Sequence, residues 1–178
     1  MLWFALYLPA LPLEAWQATA AADDDSSDPR PCCVIEARRV VRADAAAAAL
    51  GVEVGMSAAS AASLVSGEPS LGGGLQVFTR SAAREAAQVQ RLALSLSRFT
   101  PSVVVQADGV LLEVAASLRL FGGARALWRA VREAARAGGV KSLRMAAAPT
   151  ATAAAVLARA EPASAALRKL PVAQRLDA

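Results

Sequence analysis

The chain has 178 residues, a net charge of +4, 56% hydrophobic residues and only 4% aromatics. It contains no histidine, which excludes His-ligated metals, Ser-His-Asp triads and Cys-His dyads. The positive balance is too weak to prove nucleic-acid binding, and no run approaches the roughly 18 apolar residues of a membrane span.

This length suits one domain or two small lobes. Alanine is the commonest residue; it favours helix but buries little area, so the few large apolar side chains must carry the packing. The arginines read as spread along helices and not gathered in one stripe, as on a solvated surface. In chain order, Met1 to Leu8 is apolar and predicts a buried strand, ended by Pro9 and Pro12. A short helix from Leu13 to Ala20 and an acidic loop from Asp23 to Pro29 follow. Cys32 to Glu36 and Arg39 to Ala43 read as two strands joined by a turn. The adjacent cysteines read as buried thiols in a reducing compartment, because neighbouring cysteines rarely bridge. Asp44 caps a helix through Leu50, with Gly51 ending it, and Ser57 caps another to about Val65.

Gly67 to Gly74 lacks the Gly-Lys-Ser/Thr ending of a phosphate loop and reads as a surface turn. Ser81 to Arg98 is the clearest helix, with Ala82, Ala86, Val89, Ala93 and Leu96 on one apolar face. Val103 to Val105 and Val110 to Val114 flank Asp108-Gly109, a hairpin signal. Ala124 to Ala137 is a second amphipathic helix stopped by Gly138-Gly139, and Leu143 with Met145 predicts a strand. Pro149 opens a last helix to about Ala160. This order predicts a split βαβ arrangement, a sheet with helices on one face, interrupted by a smaller lobe at 31–77.

Three stretches resemble the Y-family DNA polymerases. Ala43 to Val52, followed by Gly55-Met56, is similar to that family's fingers turn. Asp108 to Val114 is similar to its central hairpin, and Ala147-Ala148-Pro149 to the start of a later helix. The ImuB group of this family is a closer match, through Leu2-Trp3, Phe99-Thr100-Pro101, Ser117 to Gly123, and Leu170-Pro171-Val172. The resemblance covers nearly the whole chain. It implies an α/β (α+β) fold: a ferredoxin-like palm with a split βαβ sheet at 1–30 and 78–165, a small inserted fingers lobe at 31–77, and a linker at 166–178 toward an absent thumb.

The resemblance also locates what nucleotidyl transfer would need. Two divalent cations, held by carboxylates, neutralise the triphosphate and activate the attacking hydroxyl. The first-strand acid of active relatives falls at Tyr7, and the hairpin keeps Asp108 but has Gly109 in place of a glutamate. The triphosphate-binding tyrosine and arginine of the fingers fall at Ala45 and Ala48, and a lysine falls at Ala151. Each lost charge-assisted contact is worth about 1.5–3 kcal/mol, and about 1.4 kcal/mol is tenfold in rate, so turnover should vanish. Asp108 then reads as half of a hairpin-turn pair, with a residual metal or DNA-backbone role as the alternative. Neither a metal nor a cofactor is expected. Ser117 to Phe121 resembles a sliding-clamp peptide, but it follows a core strand directly, so Leu118 and Phe121 read as core.

By resemblance, the chain is a cytoplasmic, non-catalytic subunit of a translesion-synthesis mutasome in the SOS response to DNA damage. Its implied partners are a RecA-like protein of the ImuA type, an error-prone DnaE-type polymerase and the sliding clamp, whose motif would lie beyond Ala178. DNA is a further implied partner, and a membrane is not. One alternative is a diverged, active nucleotidyltransferase using Glu113 beside Asp108, although a strand would turn the two to opposite faces. Another is a secreted protein cleaved after Ala18-Thr19-Ala20, against which stand Pro9, Pro12 and the missing basic leader.

Overall fold

The computed structural model describes residues 1–23, 30–66 and 74–160. The acidic loop at 24–29, the glycine-rich stretch at 67–73, and everything from 161 onward, including Leu170-Pro171-Val172 and the expected linker, lie outside the described residues. The chain divides into two compact units, Met1–Pro9 with Ala86–Ala178, and Ala10–Glu85.

The first unit is built on a four-stranded antiparallel sheet. Its strands are β1 (Trp3–Tyr7), β5 (Val103–Gln106), β6 (Gly109–Glu113) and β7 (Arg144–Ala148), in the order β5-β6-β1-β7. The apolar run at the start of the chain becomes an inner strand, where both faces are covered. Alternate residues of β1 point to opposite faces. Phe4 is fully buried and meets the Trp128 ring edge-on at 5.1 Å, on α5 (Ala124–Ala137). Ala5 faces the other way and packs with Ala154, Ala155 and Ala158 of α6 (Ala151–Arg159). Helices therefore cover both faces, and the expectation of helices on one face is corrected. Alanine on both sides is the reason: the small side chains of α6 and β1 let a further helix lie close to the sheet. The strand β7 forms from Arg-Met-Ala-Ala-Ala despite the poor strand propensity of alanine, because β1 supplies its full register.

The helix α4 (Ala82–Leu96) shifts its buried face from the expected one. Val89, Ala93 and Leu96 are buried as predicted, but Ala82 and Ala86 are exposed, while Glu85 and Gln88 are buried. The apolar period fails at the first turn because Glu85 is held there by Arg80 through two hydrogen bonds, at 2.8 and 3.0 Å.

The second unit has a three-stranded sheet, ordered β3-β2-β4, from β2 (Cys32–Glu36), β3 (Arg39–Ala43) and β4 (Gln76–Thr79). The β2–β3 pair is antiparallel and β4 runs parallel to β2. The short strand β4, Gln-Val-Phe-Thr, carried no periodic signal in the sequence. Cys33 packs with Val40, Ala47, Ala61 and Val65, thus against α2 (Ala45–Ala49) and α3 (Ala58–Ser66). Cys32 and Val34 face Leu13 and Trp16 of α1 (Leu11–Asp23), and Trp16 stacks on Phe78 at 5.1 Å. The caps form as predicted: Asp44 accepts from the Ala47 N–H at 2.7 Å, and Ser57 from the Ser60 N–H at 3.0 Å.

Both thiols are buried. Burial, and then the hydrogen bond that the Cys32 thiol donates to Asp44 at 3.1 Å, push its pKa from 9.0 up to about 12. The folded state therefore holds this proton more tightly than the unfolded chain. Its contribution to stability is complete below about pH 9 and is lost as the pH rises toward 12, at about 1.4 kcal/mol per pH unit. Urea unfolding across that window should show the decline, and Cys32→Ala should flatten it. A slope unchanged by the substitution would refute this account.

Candidate functional site

The family resemblance points to the ends of β1 and β6, where Tyr7 lies opposite Gly109. Gln106 also pairs with Gly109, so the two-residue turn between β5 and β6 is Ala107-Asp108. The expectation that Asp108-Gly109 forms the turn pair shifts by one residue, and the reason for the glycine changes. Gly109 has no left-handed φ. A Cβ on it would stand 2.0 Å from the Leu6 carbonyl oxygen and 3.2 Å from the Tyr7 Cα, so the close approach of β1 demands glycine.

Asp108 sits just past the end of β1, and its backbone carbonyl accepts from the Leu8 N–H at 3.0 Å. Its carboxylate is gripped by Arg159, the last residue of α6. Nε of Arg159 donates to Oδ2 at 2.9 Å, and Nη2 donates to Oδ1. The same guanidinium donates to Gln106 Oε1 at 2.8 Å and to the Ala155 carbonyl at 3.0 Å. It also lies 5.6 Å from the centre of the Tyr7 ring, within cation–π range. The Asp108 hydrogen bonds raise the pKa of Arg159 above its ordinary value, so the guanidinium stays charged at any working pH. The pair is partly exposed, with side chains 36% and 38% accessible, so water screens it.

The structure thus brings together Tyr7, Asp108 and Gly109, and adds Gln106 and Arg159, which sequence reasoning missed. An arginine closing a helix reads as a partner for the helix dipole, and nothing in its spacing points 51 residues back. Ala151 opens α6 in the same unit and is half-buried. Ala45 and Ala48 lie three apart on the exposed side of α2, in the other unit. Glu113 pairs with Trp3 at the far end of β6, four residues or roughly 13 Å from Gly109. Its carboxylate accepts from the Leu2 and Ala115 N–H groups at 3.4 and 3.2 Å. Among the described residues, no three His, Cys, Asp or Glu side chains converge on a metal-sized site, and no helix is long and apolar enough to cross a membrane.

The stretch from Ser117 to Phe121 is compact, with the Phe121 N–H bonded to the Ser117 carbonyl at 3.2 Å. Leu118 and Phe121 are half-buried rather than core, and Leu120 is 81% exposed. The reason is local: a 3-10 turn (Ala115–Ser117) ends the strand direction and carries the segment to the surface, where Phe121 rests on Phe99.

The family model described as impB/mucB/samB matches residues 16–159. No curated protein matches the chain significantly. Among solved structures, DinB from Sulfolobus solfataricus is similar at 16% identity and TM-score 0.60, over 89% of this chain and 45% of that one. An insertion ternary complex of Dbh DNA polymerase gives 18% identity and TM-score 0.59, over 89% and 45%. A further Dbh ternary complex gives 16% and 0.62, over 89% and 44%. At these identities the likeness shows a shared fold, that of the palm and fingers of a Y-family polymerase. The chain spans less than half the length of these structures.

Proposed function

Because the chain belongs to the impB/mucB/samB family, we propose that it is a non-catalytic polymerase-like module of translesion synthesis, related to the ImuB type. The observation that carries this reading is the fork from Arg159 onto Asp108. Nucleotidyl transfer by two divalent cations requires several carboxylates at one point. At the strand ends here, one carboxylate is already matched by one guanidinium, and the flanking positions are a phenol and a glycine with no room for a side chain. Two dications would meet an electrically neutral pair, so this donor set does not fit them. Glu113 offers no relief from the other end of β6. The fingers support the same reading: the exposed face of α2 presents the methyl groups of Ala45 and Ala48, with no donor for a triphosphate.

A polymerase body without chemistry is useful as a scaffold. The partners that suit it are a RecA-like protein, a DnaE-type polymerase and the sliding clamp, in the cytoplasm during the response to DNA damage. Primer extension with Mg²⁺ or Mn²⁺ should give no product, and calorimetry should detect no binding of a Mg²⁺–deoxynucleotide. Extension that Asp108→Asn abolishes would overturn the non-catalytic reading. Purification of the tagged protein from DNA-damaged cells should recover a RecA-like or DnaE-type protein. Recovery of neither would remove the adaptor role while leaving the first result standing.

A further inference from the structure

The sequence suggests arginines scattered over helices, and α5 corrects that expectation. Arg125, Arg129, Arg132 and Arg136 follow one another at steps of four, three and four, and all are exposed. At 100° per residue they fall within a sector of roughly 60°, opposite the buried Leu127 and Val131, and span about 16 Å of helix. Four arginines and one glutamate give α5 a net charge of +3. The four cations are drawn into one line along this helix.

Past Glu133, on the next flank of the same helix, runs a groove of about 470 Å³. The Ala130, Ala134 and Ala137 side of α5 forms one wall, and Phe99 with Phe121 forms the other. Arg98 and Glu133 stand at its polar margin, and Arg98 lies over the Phe99 ring at 4.9 Å. The exposed Leu120 precedes Phe121 and adds apolar surface next to it in the chain.

From these two features together we propose that the outer face of α5 docks an acidic, amphipathic segment of another protein. Its apolar side chains enter the groove, and its carboxylates meet Arg129, Arg132 and Arg136. Guanidinium groups suit carboxylates through paired N–H donors, which is the reason for arginine rather than lysine. A phosphodiester backbone would use the arginines but has no apolar ridge for the groove. The geometry therefore favours protein over nucleic acid. The arginine line lies on the outer side of the helix that covers the Phe4 face of the sheet, whereas Arg159 and Asp108 belong with α6 and the Tyr7 face. Such a partner would bind without touching the strand-end site.

The test is fluorescence anisotropy with a labelled helical peptide of about 16 residues, long enough to follow the arginine line. Leucines recur on one side of it and glutamates flank them. A second peptide replaces each leucine with serine at unchanged charge, and a labelled DNA duplex is the third probe. The leucine peptide should bind, and more tightly than either other probe by about tenfold or more. Binding should fall by about tenfold with Arg129→Glu, Arg132→Glu and Arg136→Glu combined, because reversed charges repel across an interface. It should also fall with Ala137→Trp, which fills the groove from its exposed rim. Circular dichroism should show both variants folded with the parent's helix content, although the reversed charges lower the melting temperature through like-charge pairs with Glu133. Equal binding of the serine peptide, or insensitivity to both variants, would overturn the proposal. Tighter binding of the duplex, lost on charge reversal, would assign the line to nucleic acid instead.

Discussion

Gly109→Ala should lower the melting temperature by roughly 6–12 °C, the largest effect expected of any change at the strand-end site. The added Cβ would lie 2.0 Å from the Leu6 carbonyl oxygen, far inside contact distance, and the obstacle is backbone rather than a flexible side chain. Leu6 belongs to the inner strand β1, whose neighbours β6 and β7 hold it in register on both sides. Relief requires β1 and β6 to part at their ends, where Tyr7 pairs with Gly109. Overpacking of this kind costs about 3 kcal/mol or more, and for a chain of this size each kcal/mol is worth about 2–4 °C. Asp108→Ala, next door but outside the strands, should cost no more than about 1 kcal/mol, as for a partly exposed ion pair. Equal losses at the two positions would mean that steric closeness is not the reason for the glycine. The same geometry predicts that Gly109→Glu, the change that would restore the family's acid, destabilises the sheet before it can supply a metal ligand.

Arg80→Ala should cost about 2–3 kcal/mol. Glu85 has only 7% of its side chain exposed, and both carboxylate oxygens are taken up by Arg80, at 2.8 and 3.0 Å. Arg80 also reaches Glu36 at 3.1 Å, and its own pKa is raised, chiefly by the Glu85 hydrogen bonds. Removing the guanidinium leaves a nearly buried anion without its counter-ion, and breaking a buried pair in this way costs about 3–5 kcal/mol. Arg80 is 39% exposed, so water can reach the gap and the expected cost falls below that range. Urea denaturation reads the loss. Adding Glu85→Gln to Arg80→Ala should recover much of it, because a neutral amide has no charge to strand. No recovery in the double variant would show that Arg80 acts through its packing.

Most elements were legible because their signals are local. The Asp44 and Ser57 caps, the Gly51 stop and the apolar opening strand each follow from a few neighbouring residues. The parts that were not legible depend on distant ones. β4 is strand only because β2 pairs with it, and the alanine half of β7, beyond the Leu143–Met145 signal, is strand because β1 pairs with it. The first turn of α4 breaks its apolar period for the sake of Arg80. At the site, the family resemblance placed Tyr7, Asp108 and Gly109 at one point. The turn chemistry of an Asp-Gly pair disguised the true constraint on the glycine, which comes from a strand about a hundred residues earlier. Arg159 was invisible for the same reason. The α5 arginines were visible as spacing, and only projection onto a formed helix turns spacing into a line.

The position of β1 also bears on how the chain is made. Trp3–Tyr7 needs residues 109–113 on one side and 144–148 on the other before it is an inner strand. At about 5–20 residues per second, a ribosome takes roughly 7–30 s to deliver β7 after β1 has emerged. During that interval Trp-Phe-Ala-Leu-Tyr, an uncharged run of high strand propensity, has no native pairing edge. Residues 10–85 form a compact unit of their own and can fold meanwhile. The first strand of this sheet is thus among the last of its parts to be sheltered, and nascent chains stalled before residue 144 should be the species that chaperones hold or that aggregate.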